Sequence, residues 1–314
     1  PRSTDVYLHV RNKTLLGIEL PYDLDITEID GFDDLHHADG ILKEEQERGA
    51  RVFGAEESHF LVNGSTAGIL SAVMGCTHRG DKILVARHCH KSIYHAIYMN
   101  GLVPRYVYPE FDISMHMNGE ISKEDVAKAL AAEPDIKAVV IVSPNYDGVV
   151  SDVKGIAEVA HSYRIPLIVD EAHGPHFGFH PAFPGRANDL GADVVINSLH
   201  KTLPSLTQTA ILHINGKLAN RRRIKKYLDM LQSSSPSYIF MASLDACVDF
   251  LDGKCEEAFE LYVERLQKFR EELKPLQHLQ ILRTEHYDIS KVVISTANAN
   301  ITSPELADLS LIHI

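Results

Sequence analysis

The chain has 314 residues, 45% hydrophobic and 24% charged. That is globular usage with enough length for a sizeable core, and it excludes a disordered tail, a collagen-like repeat and a disulfide-built miniprotein. Lys plus Arg number 31 against 43 Asp plus Glu, a net charge of −12, so the balance gives no support to nucleic-acid binding.

The four cysteines (Cys76, Cys89, Cys247 and Cys255) form no CxxC pair, which points to a reducing cytoplasm. No apolar run approaches the roughly 18 residues that span a bilayer. The opening Pro1-Arg2-Ser3-Thr4-Asp5 is polar, unlike a signal peptide, and lacks a starting Met. The natural start is expected upstream.

Residues 1–45 read as an irregular arm, with turn-formers at Pro21, Asp23, Asp30-Gly31 and Asp39-Gly40. An amphipathic helix is expected from about Leu42 to Gly54. Asn63-Gly64-Ser65-Thr66-Ala67-Gly68 leads into a helical stretch, Ile69 to Met74. Strands are then expected at Lys82–Ala86, Val103–Tyr108, Ala138–Ser143, Pro166–Asp170, Asp193–Ser198 and Thr209–Ile214. Helices are expected at Lys91–Met99, after an N-cap at Ser122, and at Val153–Ser162. Strands apolar on both faces and separated by helices indicate a layered α/β domain with a mostly parallel sheet. Residues 46–235 are taken as that domain. Helices follow at roughly 217–231, 240–251 and 256–274, then two short strands, Leu279–Leu282 and Ile289–Ser295. Residues 236–314 read as a helical connection and the truncated start of a smaller C-terminal domain. The last six residues, Leu309 to Ile314, look like translated library adapter, with a native apolar tail as the alternative.

Four places carry residues suited to chemistry. Lys201, in Asn197-Ser198-Leu199-His200-Lys201-Thr202, follows the strand DVVIN. Ligands gather at the carboxyl ends of strands in open α/β sheets, so this lysine is a candidate amine nucleophile. Asp170 ends the strand PLIVD and suits a protonated heterocyclic nitrogen. The string DEAH there fits no helicase, because no GxxxxGK[ST] phosphate loop precedes it. Gly64-Ser65-Thr66 opens a helix whose amides and hydroxyls suit a phosphate. His88, His90 and His95 have spacings that do not place three zinc ligands well. His90 is the better candidate for stacking on a flat ring, with His88 and His95 expected to be ordinary loop and helix residues. Pyridoxal 5′-phosphate (PLP) needs these four things: an amine, a carboxylate, a phosphate cradle and a flat partner.

The chain resembles the major domain of the Orn/Lys/Arg decarboxylases, in the aspartate-aminotransferase-like (type I) PLP fold. The matching stretches are DITEIDGFDDLHHAD (Asp25 to Asp39), FLVNGSTAG (Phe60 to Gly68), ARHCHKS (Ala86 to Ser92), SPNYDG (Ser143 to Gly148), IVDEAHGPHFG (Ile168 to Gly178) and SLHKTLPSLTQT (Ser198 to Thr209). The resemblance implies a three-layer α/β/α domain and roles for single residues. Lys201 would bond the cofactor's aldehyde, Asp170 would pair with its ring nitrogen, and His90 and Ala172 would cover the two ring faces. Gly64, Ser65 and Thr66 would hold the phosphate, helped by Ser198 and His200. It further implies a homodimer with a shared site, Ser233 to Ser235 matching the segment that reaches the neighbour's phosphate. Two stretches depart from the family pattern. Leu8-His9-Val10-Arg11-Asn12-Lys13 stands where a His-Met-Pro-Gly-His-Lys-like motif is usual, and Asn145 stands where Thr usually precedes Tyr-Asp-Gly.

The implied reaction is α-decarboxylation of arginine, lysine or ornithine to agmatine, cadaverine or putrescine, with His200 or Lys201 returning a proton to Cα. Another type I activity, transamination or aldol cleavage, is open to the same cofactor residues. So is a truncated, non-catalytic chain. No metal is called for.

Overall fold

The computed structural model of the chain describes residues 21–311 other than 22, 30, 114, 115 and 282–284. Pro1 to Asp5, Leu8 to Lys13, Leu282 and Ile312 to Ile314 therefore lie outside the described residues.

A seven-stranded sheet forms the centre. In chain order its elements are α1 (Ile41–Phe53), β1 (Glu57–Leu61), α2 (Gly64–Cys76), β2 (Lys82–Ala86), α3 (Lys91–Asn100) and β3 (Val103–Val107). A two-residue hairpin follows, β4 (Phe111–Asp112) and β5 (Met117–Asn118). Then come α4 (Lys123–Ala132), β6 (Ile136–Val142), α5 (Val153–Ser162), β7 (Leu167–Asp170), β8 (Val194–Asn197), α6 (Leu199–Thr202) and β9 (Ala210–Ile214). The spatial order is β1-β9-β8-β7-β6-β2-β3. Strands β8, β7, β6, β2 and β3 run parallel, and β9 runs antiparallel to both its neighbours.

The strand alternation sorts the core into layers. Ile83 and Val85 face α2 and α3, whereas Leu84 and Ala86 face α4 and α5. Three layers, α/β/α, result, as the family resemblance implies. A further apolar cluster joins α1 to α8 (Tyr238–Leu251) and α9 (Glu256–Leu273) over Phe60 and Ile211. Strand β1 was not expected. Its sequence, ESHFL, looks polar because its polar groups are paired: Ser58 Oγ lies 2.6 Å from His213 Nδ1 across the β1–β9 ladder. Glu57 accepts from Arg221 at 2.8 Å.

Helix α2 is placed by small residues. A Cβ at Gly68 would stand 2.6 Å from Leu61 Cδ1, and one at Gly75 would stand 2.9 Å from the backbone of Ile224. Gly75 thus lets α2 close onto α7 (Arg221–Leu231). Gly75→Ala should destabilise the fold by about 1–3 kcal/mol, because the clash is with the backbone of Ile224 as well as with its side chain, and the backbone cannot simply swing away. Urea unfolding checks this; an unchanged midpoint would refute the close crossing.

The expected helix from 217 begins at Arg221 instead, because Asn220 caps it by accepting from Arg223 N at 3.1 Å. The expected strand Ile289–Ser295 shrinks to β11 (Ile294–Ser295), paired with β10 (Gln280–Ile281). Residues 289–291 are held differently. The Arg270 guanidinium donates to the carbonyls of Ile289 (2.7 Å) and Lys291 (2.9 Å). A last helix, α10 (Ser303–Leu311), was also not expected. Among the described residues no helix is long and apolar enough to cross a membrane.

Candidate active site

A cavity of about 720 Å³ opens at the carboxyl ends of the parallel strands. Asp170 is the last residue of β7, His88 and His90 follow β2, Tyr146 follows β6, and Lys201 follows β8. The parallel topology aims all these turns at one edge, so residues far apart in sequence share a wall.

One end of the cavity is the N-terminus of α2, where Gly64, Ser65 and Thr66 line the wall. The helix opens with Gly64 at φ +74°, a left-handed start that favours glycine. Asn63 does not cap it, because its Oδ1 accepts instead from Ser233 N at 3.0 Å. The first amides and hydroxyls of a 13-residue helix are left facing the cavity. Such an end favours an anion.

Asp170 is buried and accepts one backbone bond, from Ala172 N at 3.2 Å. Burial pushes its carboxyl up to about 6, opposed by that bond and by Lys201. Its neighbour Glu171 plays a different part. It is buried off the cavity, accepts from Asn197 Nδ2 (3.0 Å) and Ala187 N (2.9 Å), and burial pushes it up to about 8.

The amine of Lys201 is drawn in against His173, 3.0 Å from Nε2. Burial there, and the charge of Lys291, pull its pKa below the ordinary lysine range, against the opposing pull of Asp170. His200 lines the same wall with its Nδ1 2.8 Å from the carbonyl of Thr209. A carbonyl only accepts, so that nitrogen carries the proton and Nε2 is left as an acceptor in the neutral ring. His90 caps α3, its Nδ1 accepting from Ser92 N at 3.3 Å and lying 2.8 Å from Ser92 Oγ. Burial and the nearby lysines lower its pKa, which favours the neutral, flat ring.

The cavity therefore gathers Gly64, Ser65, Thr66, His90, Asp170, Ala172, His200 and Lys201. Ser198 is apart from them: it is fully buried, does not line the cavity, and its Oγ has no hydrogen-bond partner among the described residues. Ser233 to Ser235 are exposed, and Ser233 reaches the rim only through Asn63. His88 is not the ordinary loop residue expected. It lines the cavity, and burial lowers its pKa. His173, Tyr146, Thr207 and Gln208 also line it and were missed. His173 and Gln208 stand inside the quoted strings DEAHG and LTQT, so their position three or fewer residues from strand ends was the available signal.

A family model described as Orn/Lys/Arg decarboxylase, major domain, matches residues 19–298. The chain belongs to the Orn/Lys/Arg decarboxylase family. It is 45% identical over 235 residues to the uncharacterized protein YaaO of Bacillus subtilis (strain 168), covering 74% of this chain and 49% of that protein. It is 37% identical over 287 residues to an arginine decarboxylase of Halalkalibacterium halodurans, covering 89% of this chain and 58% of the relative. The chain thus spans about half the length of the curated relatives it matches. Among solved structures, lysine decarboxylase A from Pseudomonas aeruginosa superposes with a TM-score of 0.73 at 26% identity, covering 84% of this chain and 40% of that one. The three-layer fold with its mostly parallel sheet is that of the family's major domain.

Three features fit the cofactor that the family resemblance implies. They are an uncapped helix N-terminus for a phosphate, a buried carboxylate with room for a second donor, and an amine held partly desolvated in the same cavity. Its volume lies in the ordinary range for a cofactor-sized ligand.

Proposed function

We propose that this site carries out PLP-dependent α-decarboxylation of a basic amino acid: arginine, lysine or ornithine. The observation that carries the reading is the convergence of Asp170, Lys201 and the open end of α2 on one cavity, in a chain of this family. When bound, PLP supplies an electron sink for the pair of electrons left at Cα as CO2 departs.

The chain's residues supply the rest. The α2 amides with Ser65 and Thr66 hold the phosphate, and Asp170 keeps a proton on the ring nitrogen. His90 and Ala172 fix the ring plane. Lys201 would hold the cofactor by its aldehyde. In its ammonium form the same side chain would be placed to return a proton to Cα. His200 is the weaker candidate for that step, because its Nδ1–H is already committed to the Thr209 carbonyl. Residues 46–235 are read as the cofactor domain between an arm (1–45) and the start of a C-terminal domain (236–314). A homodimer with a shared site is part of the same reading, with Ser233 to Ser235, tied to the cavity lining only through Asn63, as the segment that reaches the neighbour's phosphate.

The test supplies the protein with PLP and each of the three amino acids, labelled at the carboxyl carbon. Labelled CO2 and the matching amine should appear from one of them. A keto acid without CO2 would favour transamination, and no product of either kind would overturn the assignment.

A further inference from the structure

His173 has a lysine on each side. Lys201 Nζ lies 3.0 Å from its Nε2, and Lys291 Nζ lies 3.4 Å from its Nδ1. A neutral imidazole has one lone pair and one N–H. It can accept from one ammonium group, and toward the other nitrogen it can only donate. The ring is neutral here, because burial above all, with the basic side chains around it, pushes its pKa down to about 3. The two contacts therefore require one lysine to be an ammonium and the other a free amine.

Lys291 is seated with some care. Asp288, three residues earlier, is fully buried and pairs with the buried His176 at 3.2 Å. Its Oδ2 accepts from Ser290 Oγ at 2.6 Å. The backbone is pinned as well: Asp288 N donates to Gly148 O at 2.8 Å, and Arg270 grips the Lys291 carbonyl. A Cβ at Gly148 would stand 2.7 Å from Lys291 Cβ, so this glycine, at φ +92°, makes the room. The lysine lines a second cavity of about 500 Å³ that shares Lys201 with the first. It comes from beyond the three helices, well outside the stretch read as the cofactor domain.

We infer that Lys291 is a positioning residue for Lys201, acting through His173: its ammonium donates to Nδ1, and the ring's Nε2–H points at Lys201 Nζ and holds it as a free amine. The inference rests on the reading of Lys201 as the reactive amine. The same array moves one proton without net change. When Lys291 passes a proton to Nδ1, the Nε2 proton passes to Lys201, and the charge moves from one lysine to the other. Each nitrogen loses or gains one N–H bond, and no other bond changes. The other charged and titratable groups bearing on this array are Asp170 from the end of β7, His90 from the start of α3 and Asp288 from the segment between β10 and β11. The ring of Tyr146 packs edge-on to His173 at 5.6 Å.

The test is acetic anhydride labelling of the protein without added cofactor, across pH, with the Lys201 peptide quantified by mass spectrometry. Lys291→Met should raise the labelling midpoint of Lys201 by about one pH unit, that is, about tenfold less free amine at pH 8. Lys291→Arg, which keeps a charged donor, should restore the low midpoint. In a His173→Phe background, Lys291→Met should have a clearly smaller effect. An unmoved midpoint in Lys291→Met would overturn the inference. So would equal shifts with and without His173, or Lys291→Arg behaving like Lys291→Met. Borohydride fixation of PLP is run beside it on the unsubstituted protein. An adduct away from Lys201 counts against the reading of the reactive amine, whereas an adduct on Lys201 with an unmoved midpoint counts against Lys291 alone.

Discussion

Lys201→Ala should abolish the pyridoxyl mass that borohydride fixes to the Ser198-Leu199-His200-Lys201 peptide. It should also cut turnover by about 10³-fold or more, the upper part of what one positioned acid–base group contributes. The fold should survive, because α6 is anchored by the buried Leu199 and by Leu203 rather than by the lysine stem. Lys201→Arg should fail equally: the guanidinium stays protonated beside Asp170 and His173 and forms no covalent bond. A circular dichroism spectrum and thermal melt close to the parent's would confirm that chemistry alone was lost. If the adduct maps instead to Lys91, Lys217 or Lys291, the assignment of the nucleophile fails, and with it the proposed reaction.

Lys201 and Asp170 were legible in the sequence because both stand at the ends of runs with no polar interruption. KILVA, AVVIVS, PLIVD and DVVINS are buried on both faces, so their composition alone marks them as inner parallel strands. The residue after such a run falls at the sheet's ligand edge whatever the rest of the chain does. Strand β1 gave no such sign, since Ser58 and Glu57 satisfy their polar groups with His213 and Arg221, over 150 residues later. Pairings of that range leave no local pattern.

The site divides along the same line. Ser65, Thr66, His90 and Ala172 sit beside strand ends and were named from the sequence and its resemblance. His173 was in view three residues after Asp170, but its role depends on what flanks it. One of those flanks, Lys291, lies 118 residues away in sequence and is seated by a buried His176–Asp288 pair. Ser198 shows the reverse: adjacency to His200 and Lys201 suggested a ligand, yet the start of α6 turns it into the interior. Periodicity places elements, whereas the direction of a side chain in a short turn is decided by what packs on it.

Asp170→Asn should make the cofactor-free protein more stable at neutral pH while removing most of its activity. The carboxyl's pKa is about 6 in the fold against 3.8 in the unfolded chain. The folded state therefore binds the proton more readily, and stability falls as pH rises between those values. The penalty is absent below about pH 4, grows through pH 5 and is complete above pH 6. At about 1.4 kcal/mol per pKa unit, the ionised carboxylate costs the cofactor-free fold about 3 kcal/mol at pH 7. The amide removes that charge and still accepts from Ala172 N, but its buried N–H groups lack an acceptor, which returns about 1–2 kcal/mol. A net gain of about 1–2 kcal/mol should appear in urea unfolding at pH 7 and turn into a loss of about 1–2 kcal/mol near pH 4, where only the cost of the unpaired amide remains. A variant less stable than the parent at pH 7, or a gain that persists at pH 4, would contradict the burial of a charged Asp170. Turnover should drop about 10²–10³-fold, the size of losing one preorganised electrostatic partner. With PLP in excess the order of stability should reverse, because binding to the native state alone stabilises it by mass action, and the parent holds the cofactor more tightly. That reversal would identify the strained, buried carboxylate as a group kept for its ligand rather than for the fold.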